Sequence, residues 1–319
     1  MKAEFREYLD ALFCAQAPIR ENAGEDSFCS LVEDDSALAA VFDGCGGLGS
    51  RRYPGFRDHS GAWVAARLAC GAAHDWYRAH HADRWNSAQE LLTSLNSYLL
   101  EGLGKGPVYG NSKLRLGGAM VRDFPTTLAM ALARLENEKL VVHVVWAGDS
   151  RVYLLDGRGL AQVTEDDSEE ADAFDNLSND GELTNLLSSD GKYTLHYKRL
   201  TITEPTVLFA ATDGCFGYIP SPMEFEYLLC RGIRETETVN ELRTRLREEF
   251  QRTAGDDFAL SCMSFLAGSY RGIRQLAAQR VRVLEKDYIE ILNRDRNAAR
   301  QLWQTYRREY ERYLQPRQR

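Results

Sequence analysis

The sequence contains no run of 18 apolar residues, which argues against a membrane-spanning helix. Its seven cysteines are odd in number and separated by at least 14 residues, so they fit neither a disulfide framework nor a paired-cysteine metal site. The first 30 residues carry six acidic side chains, unlike a secretory signal peptide. These absences predict a protein of the reducing cytoplasm.

The composition is that of a folded globular protein, with 44% hydrophobic and 27% charged residues in a chain of 319. The net charge of −8 is unevenly distributed. From Ser269 onward, 13 Lys and Arg residues face 6 Asp and Glu residues, whereas residues 1–268 carry 26 basic and 41 acidic ones. The excess of acidic residues in residues 1–268 disfavours nucleic acid as the main ligand and is compatible with binding divalent cations.

Short apolar segments rich in β-branched or aromatic residues and bounded by Gly, Asp or Asn predict β-strands. They span residues 38–42, 127–133, 140–146, 152–155, 206–211 and 258–265. Between the first two, Ser60 and Ser87 are predicted to cap two helices, with Glu90 completing a capping box. This order predicts an α+β fold with two packed antiparallel β-sheets, a β-sandwich, flanked by α-helices.

The C-terminal region has helical periodicity. From about Gly272 to Leu314, apolar residues recur every three or four positions, with one gap at Asp295. We therefore predict a domain over residues 1–268 and a basic amphipathic helical tail over residues 269–319. The apolar stripe of the tail either packs on this domain or serves as a partner-binding or homodimerisation helix. The candidate anchors for a partner are Tyr306, Tyr310 and Tyr313.

Several aspartates share one context, beside glycine at the edge of a predicted strand. They are Asp43 in VFDGCGG, Asp149 in AGDSR, Asp213 in LFAATDG and Asp256 in AGDDFAL. Any one of these pairs alone is typical of a simple turn. Strand ends of a sandwich can converge on one rim, however, and glycine lets a backbone carbonyl approach a ligand. Ligands that are all oxygen favour Mg²⁺ or Mn²⁺ over zinc, so the set indicates a metal site.

In this order, the motifs resemble those of the metal-dependent protein phosphatases, also called type 2C or PPM. The resemblance covers roughly residues 15 to 266. Its landmarks are Arg20, Glu25–Ser27, Val41–Gly47, Thr126–Ala129, Ala147–Arg151, Thr164–Ser168, Thr212–Gly214 and Gly255–Asp257. It implies a type 2C-like β-sandwich in residues 1–268, with a binuclear metal site at one edge. It also implies hydrolysis of phosphoserine or phosphothreonine in proteins.

The resemblance implies roles for individual residues. Asp43 would bridge two ions of Mn²⁺ or Mg²⁺, and the carbonyl of Gly44 would ligate one of them. Asp213 and Asp256 would be ligands of the other ion. Glu25 and Asp26 would belong to the metal site as the acidic pair that holds metal-bound water, and Asp149 would bind a third, weaker metal. Arg20 would clamp the phosphate. A metal-bridging water or hydroxide would attack phosphorus, which fits a sequence without a convincing Ser-His-Asp or Cys-His arrangement.

Some positions depart from the family pattern. Cys45 stands where relatives carry histidine or methionine, and Gly217 stands where they carry a further aspartate. Asp167 replaces the histidine of a Thr-x-Asp-His-Ser pattern, and Ala259 replaces a threonine. None of these is an implied ligand of the central metal pair. An active enzyme is therefore favoured over the alternative, a catalytically weak phosphatase-like module that binds a phosphoprotein or partner.

Two further features are predicted to set specificity. The loop after the DGCGG motif carries Arg51, Arg52 and Arg57, which either bind the substrate's phosphate and acidic flanks or are solvated loop residues. Residues 165–190 hold ten acidic residues and no Lys or Arg, and are predicted to form a flap beside the site. The expected partners are a phosphoprotein substrate and a cognate Ser/Thr kinase. Neither nucleic acid nor a membrane is expected.

Overall fold

The structure, a computed structural model, describes residues 4–21, 23–106, 124–168 and 183–314. Most of the predicted acidic flap, residues 169–182, lies outside the described residues. Two five-stranded antiparallel sheets pack face to face, with helices covering the outer face of each. The predicted α+β sandwich is therefore confirmed.

Both sheets combine strands from distant parts of the chain. The first contains, in spatial order, β1 (Leu9–Ala17), β12 (Phe258–Phe265), β11 (Thr206–Ala211), β8 (Arg151–Asp156) and β9 (Gly159–Gln162). The second contains β10 (His196–Ile202), β7 (Lys139–Ala147), β6 (Leu128–Glu136), β3 (Ser36–Phe42) and β2 (Ser27–Val32). A separate two-stranded ribbon is formed by β4 (Arg52–Tyr53) and β5 (His59–Ser60). All six predicted strands are present, whereas β1, β2, β9, β10 and the two ribbon strands, β4 and β5, were not predicted.

Two helices, α1 (Gly61–His80) and α2 (Ala88–Gly104), cover the second sheet. Both predicted caps are confirmed, since Ser60 Oγ accepts from the amide of Trp63 at 3.1 Å and Ser87 Oγ accepts from that of Glu90 at 3.2 Å. The remaining helices are α3 (Asp213–Phe216), α4 (Pro222–Arg234), α5 (Val239–Thr253), α6 (Tyr270–Leu284), α7 (Glu290–Arg294) and α8 (Ala299–Tyr310). No helix in the described ranges is long and apolar enough to cross a bilayer.

Strand β3 lacks a polar–apolar alternation because it is buried on both faces. Its side chains point alternately to the two faces of the sheet, and both faces are covered. Ala37, Ala39 and Val41 pack between the two sheets, while Leu38 and Phe42 pack against the helix layer of α1 and α2. A strand that ends in such a position is held rigidly on both sides, which matters for the aspartate that follows it.

The apolar stripe of the C-terminal helices is buried within the chain itself. Trp303, Tyr306 and Tyr310 belong to the core formed by the first sheet and α4. The Tyr306 hydroxyl donates to Glu226 Oε2 at 2.6 Å, and Arg280 Nε donates to Glu226 Oε1 at 2.8 Å. Two of the candidate anchors for a partner, Tyr306 and Tyr310, are therefore occupied by intramolecular packing.

The last helix, α8, also covers the outer edge of the first sheet. α8 lies against β9, the outermost strand of the first sheet. Beyond it, the guanidinium of Arg312 donates to the carbonyl of Gly159 at 3.2 Å and pairs with Asp156 Oδ2 at 3.0 Å. Covering an edge strand in this way protects its unpaired backbone groups from other chains.

We predict that a chain ending at Gly268 loses stability, because it exposes the apolar outer face of the first sheet and leaves the buried Glu226 without its partners. The expected fall in melting temperature is about 10 °C or more, accompanied by aggregation. Calorimetry and size-exclusion chromatography would measure both. A well-folded monomer with an unchanged melting temperature would show instead that the tail is dispensable for packing.

Candidate functional site

The predicted carboxylates all lie at one end of the sandwich. Asp43 follows β3, Asp149 lies between β7 and β8, and Asp213 begins α3 directly after β11. Glu25 and Asp26 precede β2, and Asp256 precedes β12. The strand register places these termini together, since Ser27 pairs with Phe42, Leu128 with Ala147, and Ala211 with both Arg151 and Leu260. The structure thus brings together acidic groups that are up to about 230 residues apart in sequence.

Thr127 fixes two of these connections relative to each other. Its amide donates to the carbonyl of Asp43 at 2.8 Å, and its Oγ1 accepts from the amide of Asp43 at 3.1 Å. The same Oγ1 is 2.6 Å from Ser150 Oγ. The residue is fully buried at the start of β6. Thr127 lies in one of the family motifs, but its role could not be predicted, because it depends on contacts with Asp43 and Ser150, which are distant in sequence.

Asp257 positions the acidic pair at the start of β2. Its Oδ1 accepts from the amide of Ile19 and its Oδ2 from the amide of Glu25, both at 2.7 Å. Asp26 Oδ2 in turn accepts from Thr212 Oγ1 at 2.7 Å. Asp257 was not among the predicted site residues, although the doubled aspartate of AGDDFAL was a visible signal. Its carboxylate is occupied by backbone donors, which leaves Asp256 as the ligand candidate.

Glu25 is held from two further sides. Ser60 Oγ donates to Glu25 Oε1, so one hydroxyl both caps α1 and orients this carboxylate. The guanidinium of Arg67 donates to the carbonyls of Gly24, at 2.9 Å, and Glu25, at 3.3 Å. These contacts fix the backbone that presents the Glu25 side chain.

Two glycines are required by close backbone approach. A Cβ at Gly44 would lie 2.6 Å from the carbonyl oxygen of Ala62, and one at Gly214 would lie 1.8 Å from that of Asp257. Both positions adjoin candidate ligands, so any side chain there would push the connections apart. The requirement for glycine beside Asp43 and Asp213 is therefore steric.

The carboxylates are close enough to perturb one another. Burial raises the pKa of Asp43 well above its usual value, and the negative charges of Asp26, Asp213, Asp149 and Asp256 raise it further. Burial and the charge of Asp213 likewise raise the pKa of Asp26. Groups with such pKa values resist ionisation unless a cation compensates them, and perturbed carboxyls of this kind are typical of functional sites.

Asp149 has a buried carboxylate oxygen without a hydrogen-bond partner among the described residues. Burial, followed by the charges of Asp213 and Asp166, raises its pKa to about 8. Its Oδ1 atom is buried and accepts no hydrogen bond from the residues that the structure describes. An unsatisfied buried carboxylate oxygen is costly, and a bound cation would remove that cost.

The candidate ligands fit a hard divalent cation, because all of them are oxygen atoms: the carboxylate oxygens and the backbone carbonyl oxygen of Gly44. The described side chains do not, however, form a ready-made cage: no group of three His, Cys, Asp or Glu residues among them is arranged to hold a metal ion. Uncompensated carboxylates repel, so binding would draw them closer together.

Comparison with known proteins identifies the family of the chain. The sequence matches the family described as protein phosphatase 2C over residues 19–251. The chain belongs to this family. Its members are metal-dependent protein serine/threonine phosphatases, so the chain is assigned to that class of hydrolase. A search of curated proteins found no match.

Solved structures of bacterial phosphatases share the fold. PstP/Ppp of Mycobacterium tuberculosis is 18% identical, with a TM-score of 0.54, covering 81% of this chain and 99% of that one. PppA of Pseudomonas aeruginosa, described as a regulatory component of T6SS, is 19% identical, with a TM-score of 0.56 and coverages of 83% and 100%. The catalytic domain of PstP with two manganese ions is 16% identical, with a TM-score of 0.52 and coverages of 81% and 99%. At these identities the likeness shows the fold alone.

The carboxylates of this phosphatase 2C family member gather at one end of the sandwich, whereas the arginines predicted to bind substrate have different surroundings. Arg20 lies in an exposed turn, and its side chain forms no hydrogen bond or ion pair with the described residues. Arg51 lies 5.7 Å from the ring centroid of Tyr53 and Arg57 is exposed. Arg52 is near enough to Glu25 for its charge to lower the pKa of that carboxyl, which burial otherwise raises.

The departures from the family pattern do not disrupt the cluster. Cys45 lies beside the carboxylates, and burial together with the charge of Asp43 raises the pKa of its thiol well above the usual value. The amide of Gly217 donates to the carbonyl of Asp213 at 2.6 Å, so this glycine closes the short helix α3. Asp167 accepts from the amide of Gly148 at 2.9 Å and thereby contacts the turn of Asp149.

We predict that Asp149→Asn stabilises the protein in the absence of divalent cations. Between the usual aspartate pKa of 3.8 and about 8, the folded wild type retains a proton that the unfolded chain has released. Its stability therefore falls as pH rises through this interval, and the asparagine variant lacks that loss. Thermal unfolding in a chelator should show a melting-temperature advantage for the variant that grows from about pH 4 to about pH 8.

Asp75→Asn provides the matched control, because Asp75 is an exposed aspartate on α1. Its margin over wild type should not change systematically with pH. A pH-independent margin for Asp149→Asn as well would contradict the raised pKa.

Proposed function

We propose that this chain hydrolyses phosphoserine and phosphothreonine in proteins, with two divalent cations, Mn²⁺ or Mg²⁺, as cofactors. The observation that carries the proposal is the convergence of carboxyl groups at one end of the sandwich, where burial and mutual repulsion raise the pKa of Asp43. Oxygen ligands so arranged are the kind that hard divalent cations prefer. Membership of the protein phosphatase 2C family supports the reaction type.

Each candidate ligand has a proposed place. Asp43 would bridge the two cations, and the carbonyl oxygen of Gly44 would ligate one of them. Asp213 and Asp256 would be the remaining ligands of the pair, Glu25 and Asp26 would hold metal-bound water, and Asp149 would belong to a third, weaker site. The unpartnered Oδ1 of Asp149 supports this last assignment. The PstP structure with two manganese ions supports Mn²⁺ as one usable metal.

The protein's own groups orient the reaction. When bound, a cation pair supplies Lewis-acid polarisation of the phosphoryl oxygens and lowers the pKa of the attacking water. Glu25 and Asp26 would accept hydrogen bonds from that water and so orient it toward phosphorus. Arg20, which is exposed at the rim, turns its planar guanidinium fork toward two phosphoryl oxygens. No side-chain nucleophile is needed, because water attacks directly.

Substrate recognition is proposed to extend beyond the phosphate. Arg52 lies beside Glu25, and its Nη1 donates to the carbonyl of Asp58 at 2.8 Å, which holds the arginine at the rim. With Arg51 and Arg57 on the same loop, it would attract acidic residues that flank a phosphorylated side chain. The natural substrates would then be phosphoproteins made by a cognate Ser/Thr kinase.

We predict that Asp43→Asn lowers metal-dependent turnover by about 100-fold or more, because it weakens both cation sites at once. The assay titrates Mn²⁺ and Mg²⁺ and uses an aryl phosphate and a phosphothreonine peptide as substrates. Asp10→Asn is the control, since Asp10 is a partly buried aspartate that accepts a hydrogen bond from the amide of Ala267 at the opposite end of the sandwich. That variant should keep wild-type turnover.

Two results would contradict this part of the proposal. If Asp43→Asn retained turnover, Asp43 would not be the bridging ligand. If the folded wild type showed no turnover with either metal, the alternative of a module that binds a phosphoprotein or partner would replace the enzyme.

Replacing Arg51, Arg52 and Arg57 together with alanine should raise KM severalfold for an acidic phosphoprotein and leave KM for an aryl phosphate unchanged. A small ester has no flanking residues for the loop to contact. The control replaces Arg6, Arg78 and Arg84, exposed arginines at the opposite end, with alanine and so makes the same change in net charge. Equal effects on the two substrates would exclude a role in specificity.

A further inference from the structure

Two consecutive aspartates hold the two ends of the Asp149 turn. Asp166 accepts from Arg151 Nε at 2.9 Å and from Arg151 Nη2 at 2.5 Å, in a buried bidentate pair. Asp167 binds the other end, where its Oδ2 accepts from the amide of Gly148 at 2.9 Å. Its own amide donates back to the carbonyl of Gly148 at 3.1 Å. The position of Asp149 therefore depends on how these two aspartates are held.

Asp166 is held by its buried arginine, but Asp167 requires other partners. Its Oδ1 lies 2.8 Å from Nε2 of His196, at the start of β10. Asn185 Nδ2 donates to its Oδ2 at 2.6 Å. Of these two, only the imidazole contacts the oxygen that does not bind Gly148. Without it, the carboxylate could rotate about its χ2 angle and move Oδ2 away from the Gly148 amide.

His196 is itself well positioned for this task. Its ring stacks on that of Trp146, with ring centroids 5.1 Å apart and an interplanar angle of 28°. Trp146 is fixed in turn, because its indole N–H donates to the carbonyl of Glu165 at 2.7 Å. The imidazole thus has one orientation, and that orientation directs Nε2 at Asp167.

Charge reinforces the geometry. Hydrogen bonding to Asp167 raises the pKa of His196, and the charges of Asp167 and Glu165 add to the effect. A histidine that gains positive charge here offsets part of the repulsion within the acidic run Glu165-Asp166-Asp167.

We propose that His196 is a positioning residue for the candidate metal site: by orienting Asp167, it fixes the Gly148–Asp149 turn and so the carboxylate of Asp149. The inference rests on the proposed function only for the use to which Asp149 is put. The chain of contacts from imidazole to carboxylate to turn amide is independent of any ligand.

Hydrogen–deuterium exchange of the peptide spanning residues 147–151, measured without divalent cations, tests the inference directly. His196→Phe keeps the ring stacked on Trp146 but removes the donor, and it should speed exchange at the Gly148 amide by about 3- to 10-fold. His196→Gln restores an N–H donor and should bring the rate to within about twofold of wild type. Exchange in β12 reports whether global stability has changed.

His143→Phe is the matched control. His143 also pairs with a carboxylate, that of Glu136 at 2.7 Å, and Glu136 lies at the end of β6 that is farther from the Asp149 turn, while His143 itself lies in the middle of β7. Its loss should leave exchange in residues 147–151 unchanged. An unchanged rate in His196→Phe, or an equal acceleration in His143→Phe, would overturn the inference.

Titration calorimetry with Mn²⁺ provides the second readout. His196→Phe should bind Mn²⁺ at the weaker site about 3- to 10-fold less tightly than wild type, with His196→Gln close to wild type. Absence of Mn²⁺ binding in the wild type would count against the proposed function, whereas the exchange result judges the positioning role separately.

Discussion

Repulsion between carboxyl groups is the constraint on which the rest of this structure depends. Burial and neighbouring charges raise the pKa values of Asp26, Asp43 and Asp149, so the gathered state opposes folding in the absence of a cation. The fold resists this repulsion through rigid attachments. Doubly covered strands end at the site. Thr127, which accepts from the amide of Asp43, and Thr212, which donates to Asp26, fix the connections between them. Stability elsewhere in the sandwich therefore maintains an electrostatically unfavourable functional end.

Much of the fold could be predicted because its signals are local. Strands such as Thr206–Ala211 are apolar runs bounded by turn residues, and Ser60 and Ser87 are helix caps that act over three residues. β1 was missed because LDALFCAQA has few β-branched residues and mixes buried with part-exposed positions. Strand order was also inaccessible, since β1 pairs with β12 across almost the whole chain.

In the candidate site, too, local signals could be predicted from sequence and contacts between distant residues could not. Aspartates beside glycine could be found from sequence because each motif is contiguous, whereas the residues that orient them could not. Asp257 contacts Glu25 across 232 positions, and His196 contacts Asp167 across 29. The buried Glu226 has the same character: a glutamate in an amphipathic helix suggests solvent, but Arg280 and Tyr306 from the tail enclose it. Contacts of this kind follow from the assembled fold alone.

The covering of β9 by α8 has a consequence for the order of events during synthesis. β8 and β9 emerge from the ribosome well before residues 299–310, which complete the core over the first sheet. Until that helix arrives, Tyr153 and Leu160 face an incomplete core, and the backbone of the outermost strand, β9, has no neighbour on its outer side. The nascent chain would then present an apolar sheet edge, the kind of surface that chaperones bind. Final burial of this face therefore has to wait until the C-terminal helices have been synthesised.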